Sequence, residues 1–158
     1  DNGELHMLGR YPAMLTPIVS GGKLLAIHRT YLGDGCKADV PTPKKLTAAA
    51  GPLAGACIPL AAPHGGVLGI AEGIETAAAA SLGSGLPVVA AYCANALAGF
   101  ALPRGIERLV IFADHDPAGQ QAAATLAQRA TRAGLTSKTL TPSKPGSDWA
   151  DVWLEGMQ

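Results

Sequence analysis

Two carboxylates, Asp114 and Asp116, stand on either side of His115 at the point where an apolar run, "LVIFA", ends. A third carboxylate, Glu72, ends an earlier apolar run, "GVLGIA". Carboxylate oxygens hold hard cations such as Mg²⁺, which needs few protein ligands when a substrate phosphate and water supply the rest. These three acids therefore indicate a divalent-metal site for phosphoryl transfer.

Each of these acids also has a structural interpretation. Asp116 directly precedes Pro117, where an Asp makes a good helix N-cap worth about 1 kcal/mol. Glu72 would be favoured by the dipole of the following helix, and Glu75 is expected to be a solvated or ion-paired surface acid. Asp114 is harder to explain in this way, because an unpartnered carboxylate at the end of a buried strand is costly. Asp114 is therefore the strongest ligand candidate, and Asp116 is expected to combine capping with metal binding.

Other chemistries fit the sequence less well. Phosphoaspartate phosphatases also carry Asp-x-Asp after an apolar strand, but they need a Thr or Ser and a Lys at later strand ends, roles that Thr141 and Lys144 fit poorly. The sequence has no Gly-x-Ser-x-Gly, no Gly-Lys-Ser/Thr phosphate loop and no His-Glu-x-x-His, which excludes several enzyme classes. His115 is expected to border the site rather than act as a general base.

Strands and helices that would position these acids alternate from residue 66 onward. Apolar runs at 66–72, 86–92 and 106–114, with a weaker one at 137–142, predict four strands. Helices are predicted at "IETAAAASLG", closed by Gly83, at "NALAGFAL", capped by Asn95, from Pro117 to a stop at Gly134, and at "SDWADVWLEG". The alternation predicts an α/β fold with a small parallel sheet, in which ligands bind beyond the C-terminal strand ends. Glu72 and Asp114 both occupy such ends.

The first 66 residues have a different pattern. Gly21-Gly22 predicts a hairpin turn, "KLLAIHRTYL" its second strand, and 56–60 at most one more strand. Residues 1–66 hold six Lys or Arg against four acids, whereas 67–158 hold six against eight. We therefore predict a β-rich basic lobe over 1–66 and an α/β domain over 67–158.

Composition narrows the class of protein. The 158 residues suit one domain, or one with a small appendage, and the formal net charge of zero gives no overall basic field for nucleic acid. The three cysteines form no Cys-x-x-Cys pair, so we expect no zinc within these residues and free thiols in a reducing cytoplasm. No signal peptide or long apolar run indicates a membrane. The chain begins at Asp1 without a Met, and we expect it to be a piece of a longer protein.

Three segments together resemble a known family. "IAEGIETAAAA", "LVIFADHDPAGQQAA" and "PGSDWADV" resemble the Toprim domain shared by primases, topoisomerases and small nucleases. That family has a Glu ending its first strand and an Asp-x-Asp ending its third, followed by a Gly, here Gly119. The match extends over about residues 67–155. With "AIHRTYLGDGCKADVPTPKKLTAAAGPLAGACIPL" before the Glu motif, the whole chain is most similar to Toprim primases of phages, plasmids and other mobile elements.

The resemblance implies a Toprim, Rossmann-like fold with a central four-stranded parallel sheet and a fixed set of site residues. Glu72, Asp114 and Asp116 match the catalytic and metal-binding acids, with Mg²⁺ as the cofactor and Mn²⁺ as a substitute. Asp148 and Asp151 match a further acidic pair that would support metal or template binding, although Asp148 alone is also a good cap for the last helix. The chain departs from the pattern at residue 76, where replicative primases often carry an Asp and this sequence has Thr.

Basic residues of the first lobe would face these acids in such a protein. The candidates for phosphate contact with template or nucleotide are Arg29, Lys37, Lys44 and Lys45. Each taken alone is better described as an ordinary solvated surface residue, and it is the set beside an acidic metal site that favours phosphate contact.

The implied function is that of a DNA primase catalytic core, which joins nucleotides on a single-stranded DNA template. Its partners would be template, NTPs and further zinc-binding and helicase domains outside this chain. A Toprim nuclease, in which the same acids activate water, and a non-catalytic nucleic-acid-binding module remain alternatives. A topoisomerase is not expected, because these residues offer no separate domain to present a nucleophilic Tyr.

Overall fold

The computed structural model describes residues 9–157, and the first part of the chain forms an antiparallel sheet. Its strands are β1 (Ala13–Ser20), β2 (Lys23–Gly33), β3 (Cys36–Lys37) and β4 (Lys44–Leu46). β2 pairs with all three of the others. The predicted hairpin turn is confirmed, since Gly21 and Gly22 both have positive φ, 56° and 77°, as a tight two-residue turn requires.

Two details of this lobe differ from the sequence prediction. The one further strand that the sequence allowed at 56–60 does not form, because these residues make only isolated bridges, Val19 to Cys57 and Ile58 to Ala90. β4 was not predicted, because three residues after a Pro-rich stretch show no period-two pattern. The first eight residues of the predicted 1–66 lobe lie outside the described part of the chain.

The second part of the chain confirms the predicted α/β fold. Its elements are β5 (Val67–Ala71), α1 (Ile74–Ser84), β6 (Val88–Ala90), α2 (Ala94–Gly99), β7 (Arg108–Phe112), α3 (Pro117–Arg132), β8 (Thr136–Leu140) and α4 (Trp149–Glu155). The four strands are parallel in the order β6-β5-β7-β8. β5 and β6 are buried throughout, which accounts for their continuous apolar sequence, whereas the edge strand β8 is partly exposed and polar.

Helix ends follow the prediction in part. α3 begins after an Asp116 cap and is followed by Gly134, as predicted. α1 continues through Gly83 and stops at Gly85, whose φ of 70° ends the helix, so the predicted stop was two residues early. α2 begins at Ala94, so Asn95 lies within the helix and the prediction that it is the cap was wrong.

A shared hydrophobic core joins the lobe to the α/β part. On one face of the parallel sheet, Val110 and Phe112 of β7 pack in the same cluster as Ile18 and Ala26 of the lobe and Ile58 of the connecting segment. On the other face, β5 and β7 pack against α2 and α3. Burial of these side chains, together with the chain connection, therefore holds the lobe against the parallel sheet. The face of the antiparallel sheet that carries Ile18 and Ala26 is called the inner face, and it is turned towards the α/β part. Within residues 9–157, no helix is long and apolar enough to cross a membrane.

Candidate active site

Four carboxylates gather at the C-terminal edge of the parallel sheet. Glu72 directly follows β5, and Asp114 and Asp116 follow the neighbouring strand β7, whose Phe112 pairs with Ala71. Asp148 approaches from the start of α4. The charges of Glu72, Asp148 and Asp116 all raise the pKa of Asp114, so these three acids lie within electrostatic range of Asp114.

Asp114 is the least compensated of these acids. Its Oδ1 atom is buried and accepts no hydrogen bond from the described residues. Burial, and then the charges of Glu72, Asp148 and Asp116, raise its pKa to about 7, and Lys44 only partly offsets them. An unpartnered, buried oxygen on a half-buried carboxylate among other acids fits a cation ligand, because a divalent ion would supply the missing countercharge.

Glu72 is held by the start of a different helix. Its carboxylate accepts a hydrogen bond from the backbone amide of Ala94, the first residue of α2. Burial and the charge of Asp116 nevertheless raise its pKa, against that hydrogen bond and Lys44. This contact supplies a partner for the first amide of α2, at a helix whose N-cap residue, Cys93, makes no side-chain hydrogen bond to it.

Asp116 is an N-cap, as the sequence predicted. Its Oδ1 accepts the amide of Gly119 at 2.7 Å. Its charge raises the pKa of both Glu72 and Asp114, so it also lies close to both. The combination of capping and metal binding in this residue stays a prediction.

Gly119 allows α3 to lie close to the C-terminal edge of the parallel sheet that carries the four carboxylates, called the acidic edge below. A Cβ built on Gly119 would lie 3.0 Å from the backbone oxygen of Asp114 and 3.2 Å from its Cβ. A glycine is therefore favoured at residue 119 for a local steric reason, because any side chain there would push Asp114 or the helix away.

Asp148 and Asp151 form a capping box at the start of α4. Asp148 Oδ1 accepts the amides of Ala150 and Asp151 at 2.7 and 3.0 Å, and Asp151 Oδ2 accepts the amide of Asp148 at 3.1 Å. Buried Thr76 donates to Asp148 Oδ2 at 3.4 Å. The residue that replaces the expected Asp thus binds a nearby carboxylate instead of adding another.

No three His, Cys, Asp or Glu side chains in residues 9–157 are grouped as a ready-made metal site. Mg²⁺ does not require such a cage, since it commonly uses one or two carboxylates plus water and substrate phosphates. The acidic edge fits that mode of binding.

Two lysines of the lobe reach towards the acidic edge. Lys37 Nζ lies 2.9 Å from Glu75 Oε1, and Lys44 Nζ lies 3.4 Å from Glu75 Oε2. Burial alone would raise the pKa of Glu75, but hydrogen bonds from Lys37 and from its own backbone amide, with the charges of Lys44 and Lys37, outweigh burial and lower the pKa to about 2. Glu75 is thus the ion-paired acid that its sequence position indicated.

Arg29 and Lys45 lie on the opposite face of the antiparallel sheet. Side chains alternate between faces along a strand, and Lys44 pairs with Thr30 while Lys45 pairs with Arg29. Arg29 donates to the Leu46 carbonyl at 3.4 Å. The expectation that all four basic residues face the acids therefore does not hold for this pair.

His115 borders the edge from the far side. Its backbone amide donates to the Ser147 carbonyl at 2.9 Å, and its side chain lines a separate cavity with Gln120 and Thr139. This position agrees with a bordering residue and not with a general base among the carboxylates.

Comparison with known proteins identifies the second part of the chain. Residues 67–157 match the sequence model of the Toprim domain family, and residues 3–58 match a domain of unknown function, DUF7146. No curated protein matches the sequence.

Solved primase structures share the fold at low identity. A DNA primase domain from Pseudomonas aeruginosa matches with 17% identity and a TM-score of 0.61, over 98% of this chain and 50% of that one. The DnaG catalytic core matches at 16% and 0.63, over 90% and 48%, and the primase fragment of the bacteriophage T7 primase-helicase at 18% and 0.58, over 90% and 58%. The chain thus spans about half the length of these structures, and the likeness is one of fold.

Asp114→Asn should change stability in opposite directions with and without metal. Because the folded-state pKa is raised, the favourable contribution of Asp114 is complete below its ordinary value of 3.8 and is lost as the pH rises to about 7. In chelator, the variant should therefore gain stability relative to wild type as the pH rises from 3.8 to about 7, with no further change above that. Mn²⁺ should then raise the melting temperature of wild type only. A pH-independent difference between the two proteins, or equal stabilisation by Mn²⁺, would contradict this account of Asp114.

Gly119→Ala should weaken Mn²⁺ binding and lower the melting temperature, although Ala is favoured over Gly in helices by about 1 kcal/mol. The added methyl meets the backbone of Asp114, which cannot shift freely at the end of a buried strand. Gly99→Ala is the matched control, because a Cβ at that α2 position meets nothing within 4 Å. Thermal melts and Mn²⁺ titration of both variants decide the question, and equal effects would remove the proposed steric role of Gly119.

Proposed function

Because the chain belongs to the Toprim domain family, we propose that it is the catalytic part of a DNA primase, which joins nucleotides on a single-stranded DNA template in a metal-dependent reaction. The observation that carries the proposal is that two surfaces of opposite charge lie side by side. An acidic edge with an unpartnered Asp114 oxygen stands beside lobe lysines that a shared core holds in place.

Glu72, Asp114 and Asp116 are the proposed metal ligands and catalytic residues. Toprim domains generally bind divalent ions such as Mg²⁺. When bound, such an ion favours deprotonation of an attacking hydroxyl and neutralises phosphate charge. Asp148 is close enough to add to the negative field at Asp114, and Asp151 would act through the capping box that orients Asp148.

Lys37 and Lys44 are proposed to bind the phosphates of template or nucleotide. Their side chains are 45% and 42% exposed, and both currently contact Glu75. Ion pairs this exposed contribute at most about 1 kcal/mol, so a phosphate can replace Glu75 at little cost. The charge of Lys44 also lowers the pKa of both Glu72 and Asp114, which supports a position within electrostatic range of the proposed metal ligands.

The wider setting is part of the proposal. The shared fold with a fragment of the bacteriophage T7 primase-helicase supports a role in replication of a phage or another mobile element. Zinc-binding and helicase functions would then belong to other domains, and the site of action would be the cytoplasm. A Toprim nuclease using the same acids is the second candidate, and a nucleic-acid-binding module without turnover is the third.

Incubation with single-stranded DNA, NTPs and Mn²⁺ or Mg²⁺ separates these candidates. We expect oligoribonucleotides that depend on the template and are absent with Asp114→Asn. Shortened DNA would instead support the nuclease. Binding of DNA without either product, in the chain and in a longer protein that contains it, would support the binding module.

Lys44→Ala should weaken binding of single-stranded DNA and reduce the slope of log affinity against log salt by about 0.7, as loss of one phosphate contact requires. Lys45→Ala removes the same charge from the opposite face and should weaken binding less. Fluorescence anisotropy over a salt series measures both slopes. Equal losses in the two variants would mean that general charge, and not the inner face, binds the phosphates.

A further inference from the structure

A cavity of about 740 Å³, called here the lobe cavity, opens between the antiparallel sheet and the first turn of α1. Its volume lies in the range of about 300–1,000 Å³ typical of small-molecule sites. Met14, Leu32 and Cys36 contribute to its walls, and Lys37 and Glu75 stand at its charged side. The lobe cavity is thus mainly apolar with ionic groups at one margin.

Thr30 supplies a buried polar group to these walls. It lines the lobe cavity, is 1% exposed, and its hydroxyl has no hydrogen-bond partner among the described residues. Buried polar groups without a partner are exceptions in folded proteins and require an explanation. A ligand that presents a donor or acceptor to this hydroxyl would supply the missing hydrogen bond.

The charged side of the cavity suits an anion attached to that ligand. Lys44 pairs directly with Thr30 across β2 and β4, so both side chains lie on the inner face of the sheet. Lys37 and Lys44 share the single carboxylate of Glu75 in exposed ion pairs. A phosphate offers these lysines charge-assisted hydrogen bonds of the same kind, with up to about two negative charges in place of the one that Glu75 carries.

We infer that the lobe cavity binds one nucleobase, with the Thr30 hydroxyl as its hydrogen-bond partner and the phosphate of the same nucleotide on Lys37 and Lys44. The class of ligand rests on the proposed function. A base has apolar faces that match the walls and a polar edge that matches the hydroxyl. Because a hydroxyl both donates and accepts, this contact serves any of the four bases.

Competing ligands match only part of the site. A neutral apolar molecule would leave both lysines unused, and an inorganic phosphate would leave the apolar walls empty. The base can belong to a free nucleotide or to a nucleic-acid strand, which present the same chemistry to the cavity.

Two exposed thiols provide a test that needs no turnover. Cys36 lines the lobe cavity, whereas Cys93 caps α2 beside the Ala94 amide that Glu72 accepts. The full chain is alkylated in chelator with oligo-dT, an abasic strand of equal length, or ATP, and each thiol is followed by mass spectrometry. At a ligand concentration of about ten times the Kd, only about a tenth of the protein is free. A ligand in the cavity should therefore slow the alkylation of Cys36 about tenfold and leave the alkylation rate of Cys93 unchanged.

The outcomes separate this inference from the function on which it rests. Protection of Cys36 by oligo-dT identifies a strand base as the ligand, and protection by ATP identifies a free nucleotide. Equal protection by the abasic strand would overturn base binding. Protection of Cys93 alone would place the ligand at the acidic edge, which overturns the inference and leaves the proposed function standing. Failure of every ligand to bind in anisotropy measurements would count against both.

Thr30→Val tests the hydrogen bond directly. The variant should weaken binding of base-containing ligands about fivefold, the value of one ordinary hydrogen bond, and should not change binding of the abasic strand. Thr16→Val is the matched control, because Thr16 Oγ1 is also buried and unpartnered but Thr16 does not line the lobe cavity. Unchanged affinity in Thr30→Val, or equal losses in both variants, would overturn the role of Thr30.

Discussion

Mutual repulsion among carboxylates is the constraint on which the C-terminal edge of the sheet depends. β5 and β7 are adjacent and parallel, so Glu72 and Asp114 leave the sheet side by side and cannot move apart without breaking strand pairing. Asp116 and Asp148 are held by helix amides close to the same edge. The fold thus stores negative charge that the described residues compensate only in part, which is what a site for a divalent ion and phosphate requires.

The lobe supplies the opposite charge because its core is continuous with that of the sheet. Ile18 and Ile58 are fully buried in the cluster that contains Phe112, so the inner face of the lobe keeps a fixed orientation. Side chains alternate between the two faces of a strand, and this alternation decides which cations reach the acids. Lys44 therefore lies on the inner face, and the adjacent Lys45 lies on the opposite face. The same inner face carries the lobe cavity, so base, phosphate and metal chemistry would lie along one continuous surface.

The strands and the order of acids could be predicted because each depends on local sequence. Continuous apolar runs identify strands buried on both faces, and Asp116 before Pro117 identifies the start of α3. Several predictions that failed depended on contacts distant in sequence, whereas the stop of α1 was misplaced locally, at Gly83 instead of Gly85. The first amide of α2 bonds Glu72, more than 20 residues earlier, and β4 is defined by its pairing with β2. The period-two pattern of β2 could have separated Arg29 from the inner face, but no local pattern marks the unpartnered Thr30 hydroxyl.

The hydrogen bond from Ala94 gives Glu72 a structural role that the unpartnered Asp114 Oδ1 does not have. Glu72 serves the start of α2 whether or not the protein turns over substrate, so a descendant that has lost activity would still be selected to keep it. Asp114 Oδ1 has no such structural role, because it has no hydrogen-bond partner among the described residues. Its negative charge destabilises the folded state. In an inactive lineage Asp114 should therefore drift first.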